Sequence, residues 1–382
     1  MTPGHVLIAP DKFKGSLSAV EVAGRVAAGL RAARPDLTVV TLPVADGGDG
    51  TVEAAVACGF HRVEAVVAGP TGEPVSAAYG FLDGVAVVEL AEASGLHRLP
   101  GGRLAPLTAG SDGTGDLIAA ALRQGPREVV LGLGGSACTD GGSGMMRALG
   151  VRLLDARGRD LPPGGGSLAG LRSLDLSGFA PPAGTTFVVA SDVDNPLLGP
   201  EGAAAVYGPQ KGAGPADLPR LEEGLARWAD LAERDLGVRA RDTPGAGAAG
   251  GVGFAAMAFL GAEIRPGIRL LLDLLGFSAR LSGARLVITG EGSLDDQTLR
   301  GKAPAGVASA AAEAGVPVVA VCGRCALTGE QLRAAGIQAA FALTGIEDDV
   351  RRCMAEAGPL LTRLSATLAA EWLPQAPAHA HD

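Results

Sequence analysis

The chain reads as an α/β protein of two domains, a Rossmann-like parallel-sheet domain built from both chain ends with a second α/β domain inserted. Three observations carry this expectation. Short apolar runs alternate with alanine-rich helical stretches of about a dozen residues, the pattern of parallel strands joined by crossover helices. A length of 382 residues exceeds one ordinary domain. The two ends share a regular strand-helix alternation that the middle lacks. We place the discontinuous domain at 1–62 and 280–382 and the insert at 63–279.

The elements follow in order. HVLIAP has the apolar run of a buried strand, and SAVEVAGRVAAGLRAARP follows as a helix. Ser18 stands at its N-cap with Glu21 three residues on, the spacing of a capping box. LTVVTLPV predicts the second strand and DGTVEAAVACG the second helix. From 62 to 100 the sequence predicts short strands joined by turns. REVVLGLGG and TTFVVASD read as buried strands, and a helix rich in Arg and Glu spans 216–236. The last hundred residues resume the opening alternation with RLVITGEG, a helix around APAGVASAAAEAG, then VPVVAVCGR, IQAAFALTG and a final helix to Trp372. The tail PQAPAHAHD predicts a disordered end with solvated histidines.

Hydrophobic residues make up 47% of the chain and aromatics only 3%, so the cores must be packed from Ala, Val and Leu. No run of about 18 apolar residues predicts a membrane span. The opening MTPGHVLIAPDKF reads as a strand and its loop rather than a secretion signal. A net charge of −9 with no basic face argues against nucleic acid. Five cysteines form no even framework and predict a reduced, cytoplasmic protein. Cys322-Gly-Arg-Cys325 has redox spacing, but it follows an apolar strand without a preceding Trp and reads as structural.

Of 32 basic residues only four are lysine: Lys12 and Lys14 in APDKFKGS, Lys211 in YGPQKGAG and Lys302 in LRGKAPAG. All four lie in glycine-flanked loops. Lysine is a compact point charge with three donors, whereas arginine is a planar fork. A phosphate in transfer suits the point charge. In an acidic protein these four positions predict where positive charge gathers for an anionic ligand. Asn195 in SDVDNPLL is the only asparagine; its amide can accept from a hydroxyl and donate to a carboxylate.

Five segments rich in glycine and acid directly follow apolar strands: APDKFKGS, VADGGDGT, GLGGSACTDGGSG, SDVDNPLLGP and TGEGSLDDQT. In open α/β sheets ligands bind beyond the carboxyl ends of the strands, so these loops form the expected site. GLGGSACTDGGSG offers free N–H groups at Gly134 and Gly135, hydroxyls at Ser136, Thr139 and Ser143, and Asp140, all just before a helix, as an anion cradle would. Lys302 follows Gly301 without making a Walker A loop, which needs Gly at 296 and Ser or Thr at 303, where this chain has Asp296 and Ala303.

PGAGAAGGVGF contains G-x-G-x-x-G at Gly245, Gly247 and Gly250, but RARDTP precedes it instead of a strand. It therefore predicts a mobile, backbone-rich loop around a ligand. The carboxylates group as Asp46 with Asp49, Asp192 with Asp194, and Asp295 and Asp296 with Glu291. One or two carboxylates hold Mg2+ together with water and phosphates, and phosphoryl transfer needs an acceptor for the attacking hydroxyl. Arg265 and Arg300 are candidates for a bidentate grip on a carboxylate.

Taken in order, IAPDKFKGSLSA, PVADGGDGTVEA, GLGGSACTDGGSGMMRALG, ASDVDNPLLGPEGAAAVYGPQKGA, PGAGAAGGVGF and VITGEGSLDDQTLRGKAP resemble the type 1 glycerate kinase family, from about residue 5 to residue 365. The resemblance implies ATP-dependent phosphorylation of D-glycerate with Mg2+, in the branch that yields 2-phosphoglycerate and ADP in glycerate, glyoxylate or glucarate catabolism. It also implies an active site in the cleft between the two domains. It does not assign roles to single residues. Our expectation is that Lys12, Lys14, Lys211 and Lys302 neutralise phosphate charge, with Lys14 and Lys302 catalytic. Asp192 or Asp46 would orient the glycerate 2-hydroxyl, and Asp194, Glu291 or Asp295 would hold Mg2+. Ser16, Asp49, Gly134, Gly135, Ser136, Asp140, Asn195, Gly247, Arg265 and Ser293 would line the ATP and glycerate sites. The partners would be small molecules, and the protein a monomer or homodimer. The alternatives are a kinase for another small hydroxy acid, a nicotinamide-dependent oxidoreductase resting on the GAGAAG match, and a nucleotide-binding regulator without catalysis.

Overall fold

Val6 to Ala9 are fully buried, as the middle of a parallel strand covered on both faces must be, and they form the centre of β1 (His5–Pro10). The computed structural model describes residues 4–374, Arg300 by its backbone alone. Its packing divides the chain into two compact units, one formed up to Asp46 and again from Ile268, the other by Gly47–Gly267.

In the first unit α1 (Ala19–Ala33) opens with the expected capping box: Glu21 N–H donates to the Ser18 hydroxyl, and Ser18 N–H donates to the Glu21 carboxylate at 2.9 Å. β2 (Val39–Thr41) runs parallel to β1. Beyond it Leu42 N–H still donates to Ile8 O and Val44 N–H to Pro10 O, so LTVVTLPV follows β1 to its end and delivers Asp46 there.

The second unit begins with α2 (Thr51–Ala57), whose buried Val52 and Ala55 belong to its packing. β3 (His61–Ala68), β4 (Pro74–Leu82) and β5 (Val85–Glu89) are the short strands expected. The stretch then turns helical as α3 (Leu90–Ser94) instead of continuing as strands, because Leu-Ala-Glu-Ala favours a helix. Next come α4 (Asp112–Leu122), β6 (Glu128–Gly132) and α5 (Ser143–Ala148), then a separate ribbon of β7 (Arg152–Leu154) and β8 (Ser173–Asp175). β9 (Thr186–Ala190), α6 (Ala203–Tyr207), α7 (Asp217–Leu236), α8 (Ala248–Leu260) and β10 (Glu263–Arg265) complete the unit. Its sheet has the order β10-β9-β6-β5-β4-β3, parallel from β10 to β5 and antiparallel beyond. Trp228 of α7 stacks on Phe259 of α8 with centroids 5.2 Å apart, the aromatic centre of an otherwise aliphatic core. The glycine-rich segment expected as a loop opens α8 with Ala249, Gly250 and Gly251 in left-handed conformations. A Cβ on Gly250 would lie 2.2 Å from Cys138 O, so glycine is required there for close approach.

The chain returns through α9 (Gly267–Leu274) and α10 (Phe277–Leu281) to β11 (Ala284–Leu294), α11 (Ala303–Glu313), β12 (Val318–Cys325), α12 (Gly329–Ala334), β13 (Ala339–Ala342), α13 (Val350–Ala355) and α14 (Ala357–Trp372). The first unit's sheet is parallel throughout, in the order β13-β12-β11-β1-β2. Gly29 lets α1 and α14 touch backbone to backbone, since a Cβ there would meet Thr362 O at 2.2 Å. Among the described residues no helix is long and apolar enough to cross a membrane.

Candidate active site

Because β11, β1 and β2 are adjacent and parallel, their carboxyl ends bring acidic side chains of the first unit into range of one another. Asp11, which no sequence pattern singles out from the lysine beside it, follows β1 directly. It is buried, and its Oδ1 accepts from Lys12 N–H at 2.7 Å. Burial pushes its pKa up to about 7, the Asp46 charge adds to the rise, and Lys12 opposes it. Glu291 of β11 is also buried and accepts from the Thr298 hydroxyl. Burial raises its pKa as well, with the Thr298 bond and Lys302 opposing. Asp295 forms the next turn, its Oδ1 accepting from Gln297 N–H at 2.9 Å.

Lys302 is the N-cap residue of α11, and no side chain caps that helix start. The Ala303 and Ala305 N–H groups at this helix start, on either side of Pro304, thus have no side-chain cap, and an anion could serve them. Lys14 is exposed and Lys12 half-buried. Their turn is closed by the Ser16 hydroxyl, which donates to Phe13 O at 3.1 Å. It packs directly on Gly292, where a Cβ would lie 3.2 Å from Lys14 N. The Ser293 hydroxyl accepts from Arg324 at 3.4 Å. The Arg300 side chain lies outside the described residues.

The second unit treats its loops differently. Gly134 N–H donates to Gly47 O at 3.0 Å, and a Cβ on Gly134 would lie 2.3 Å from Gly48 Cα. Gly135 has a left-handed φ of 76°, with the Asp49 carboxylate where a Cβ would stand. Packing against 47–49 thus accounts for both glycines. Among the described residues the N–H groups of Ser136, Cys138 and Thr139 find no acceptor, and the buried hydroxyls of Thr139 and Ser143 have no partner.

Lys211 lies only 2% exposed, its ammonium donating to the Ser136 hydroxyl at 2.8 Å and to Cys138 O at 2.5 Å. Burial lowers its pKa, while Cys138 and Asp140 oppose the shift. Lys211, expected to neutralise phosphate charge, is thus enclosed and hydrogen-bonded within its own unit. Asp140 is fully buried and accepts from Ser111 N–H, Ser111 Oγ, Gly144 N–H and Gly142 N–H at 2.8–3.1 Å. Its oxygens are taken up by the protein, so it staples the turn. Glu89, also missed from sequence, ends β5 and accepts from Gly50 and Val52 N–H at the start of α2. Burial pushes its pKa up to about 7, against those two bonds and with the Glu92 and Asp49 charges adding.

After β9, Asp192 Oδ1 accepts from Gly267 N–H at 2.9 Å, and both Asp192 and Asp194 are exposed. Asn195 is committed internally: Nδ2 donates to Glu201 O at 2.8 Å and Oδ1 accepts from Tyr207 Oη at 2.6 Å. Gly247 serves packing, a Cβ there lying 2.3 Å from Pro196 O. Arg265 pairs with exposed Glu263 at 2.7 Å. Of the carboxylates expected to hold Mg2+, Glu291 and Asp295 belong to the first unit. Asp194 belongs to the second unit, and among the described residues no three His, Cys, Asp or Glu side chains are placed to hold one ion. A magnesium ion brought with phosphates needs only one or two of them.

Parallel sheets whose strand-end loops carry lysines, buried carboxyls and unpaired N–H groups define a class of α/β protein that handles small anionic ligands. Residues 6–373 match the model of the glycerate kinase family, and the chain belongs to that family. It is 47% identical over 342 residues to the glycerate kinase of Bacillus subtilis (strain 168), covering 88% of this chain and 90% of that protein. It is 46% identical over 323 residues to the glycerate 2-kinase of Escherichia coli (strain K12), covering 83% and 84%. The crystal structure of a candidate glycerate kinase 2 from Salmonella typhimurium LT2 aligns with a TM-score of 0.82 at 43% identity, over 97% of this chain and 98% of that one. The protein is therefore an enzyme of the kinase class, which sets aside the oxidoreductase and non-catalytic alternatives.

Proposed function

We propose that this enzyme transfers the γ-phosphoryl group of ATP to the 2-hydroxyl of D-glycerate, releasing ADP and 2-phosphoglycerate. The observation that carries the reading is the gathering of Asp11, Asp46 and Glu291 with Lys12 and Lys302 at the ends of β1, β2 and β11, beside the uncapped start of α11. Lys12, Lys14 and Lys302 neutralise the phosphates there, with Ser16 on the loop after β1 and Ser293 near the end of β11. In the second unit the N–H groups of Ser136, Cys138 and Thr139 receive a phosphate or carboxylate. Asp192 or Asp46 accepts the hydroxyl proton and orients the attacking oxygen. Asp11, a carboxyl that exchanges its proton near neutrality, joins Asp46 in that task. Mg2+ would be held by Glu291 or Asp295, or by Asp194, and would offset charge on the transferred group. The 2-position is favoured by the name of the E. coli relative, a glycerate 2-kinase. We place the reaction in organic-acid catabolism in the cytoplasm, carried out by a monomer or homodimer.

Coupled ADP release with D-glycerate, followed by NMR of the product, tests the reaction and its position. Asp192→Asn should lower kcat by about 100-fold or more if Asp192 is the acceptor. Unchanged turnover would leave the role to Asp46.

A further inference from the structure

Lys211 stands apart from the other three lysines. Both of its acceptors, Ser136 Oγ and Cys138 O, are neutral, and they flank Ala137 in the donor-rich turn. Burying an ammonium against neutral acceptors is costly, so its presence calls for a role in what it holds. Asp140 fastens the far end of the same turn through four donors from Ser111, Gly142 and Gly144. Between these two anchors the N–H groups of Ser136, Cys138 and Thr139 lack acceptors among the described residues.

We propose that Lys211 is a positioning residue. Sealed behind the turn, it holds Ser136 and Cys138 so that the turn offers its N–H groups to an anionic substrate group, which Lys211 itself never touches. This rests on the proposed function, in which the turn receives a phosphate or carboxylate. Arginine cannot substitute, because its five donors would enter a closed space with two acceptors. An uncharged side chain would leave Cys138 O unsatisfied and free the turn to relax.

With only four lysines in the chain, amine acetylation read by peptide mass spectrometry follows each one. In the folded full-length protein Lys14 should be modified at least about 100-fold faster than Lys211, with or without MgATP. Labelling of Lys211 at a rate close to that of Lys14, suppressed by MgATP, would make it a direct ligand and overturn the proposal. In steady-state assays Lys211→Met and Lys211→Arg should each raise the KM of one anionic substrate by about tenfold or more, while the other KM moves less than about twofold. Ser136→Ala removes one acceptor with little risk to folding and should raise the same KM by about three- to tenfold. Unmoved KM values in Ser136→Ala and Lys211→Arg overturn the positioning role. Wild-type protein without glycerate-dependent ADP release would instead refute the functional reading, a result distinct from normal turnover in unaffected variants.

Discussion

The two units use the same residue in opposite ways. At the ends of β1 and β11, Lys12, Lys14 and Lys302 border buried carboxyls while keeping contact with solvent. In Gly47–Gly267, Lys211 and Asp140 are both enclosed and both already hydrogen-bonded by the protein. A charge in a glycine-flanked loop can thus serve a ligand or serve the loop, and burial decides which. An accessible ammonium keeps its hydration until a phosphate replaces it, whereas an enclosed one must have found its acceptors on folding.

The largest test of this contrast is Asp140→Ala. It would leave Ser111, Gly142 and Gly144 donors buried without an acceptor, at a cost of roughly 3 kcal/mol or more. Trp228 reports on this turn because its indole N–H donates to Gly141 O at 2.9 Å, so urea unfolding followed by fluorescence in a Trp372→Phe background measures the loss. A change below about 1 kcal/mol would return Asp140 to the solvent-facing groups. Lys302→Arg probes the other side. There the expected change is a fall of about 10- to 100-fold in kcat/KM, with stability within about 0.5 kcal/mol of wild type. Near-normal kinetics would reduce the preference for lysine at this loop to composition.

Asp11 gives the contrast a pH dependence. Its pKa in the folded protein is raised from an ordinary 3.8 to about 7. The folded state therefore holds this proton more tightly than the unfolded chain, and the group's contribution to stability is fully present below about pH 4 and is lost as pH rises toward 7. Asp11→Asn cannot ionise. It should stay close to wild type at pH 4 and exceed it by about 4 kcal/mol at pH 8, while losing activity. Equal stability at both pH values, by thermal unfolding, would show that Asp11 is not strained by its surroundings.

Much of the fold was legible because apolar runs and helix starts are local signals. HVLIAP, the Ser18–Glu21 capping box and the helix ending at Trp372 all stand where their patterns indicate. The Leu90–Ser94 helix reads as strand in the sequence because an apolar run leads straight into it. Four of the five candidate segments stand beyond strand ends as read, whereas Thr289–Leu294 of TGEGSLDDQT still belong to β11, their strand pairing hidden by the glycines and acids. What each side chain does there was not legible, since burial and partners are set by chain segments far apart in sequence. Lys211 meets Ser136 and Cys138, more than seventy residues away, and Asp140 meets Ser111. Asp11 and Glu89 acquire their raised pKa values only from burial and neighbouring charge.

Asn195 sharpens the comparison at its smallest scale. Its singularity in the chain suggests a substrate contact, yet its geometry supplies a local reason. One end of the amide must donate, to Glu201 O, while the other accepts from the Tyr207 hydroxyl. Aspartate keeps the acceptor and loses the donor, placing a carboxylate oxygen against a carbonyl. Because the site is half-buried, Asn195→Asp should cost about 1 kcal/mol, with kcat/KM falling only as far as the loop loosens. A substrate contact predicts the reverse ordering, a loss of more than about tenfold in kcat/KM at unchanged stability. Measuring both quantities on one variant shows whether a rare residue marks a ligand or the loop that holds it.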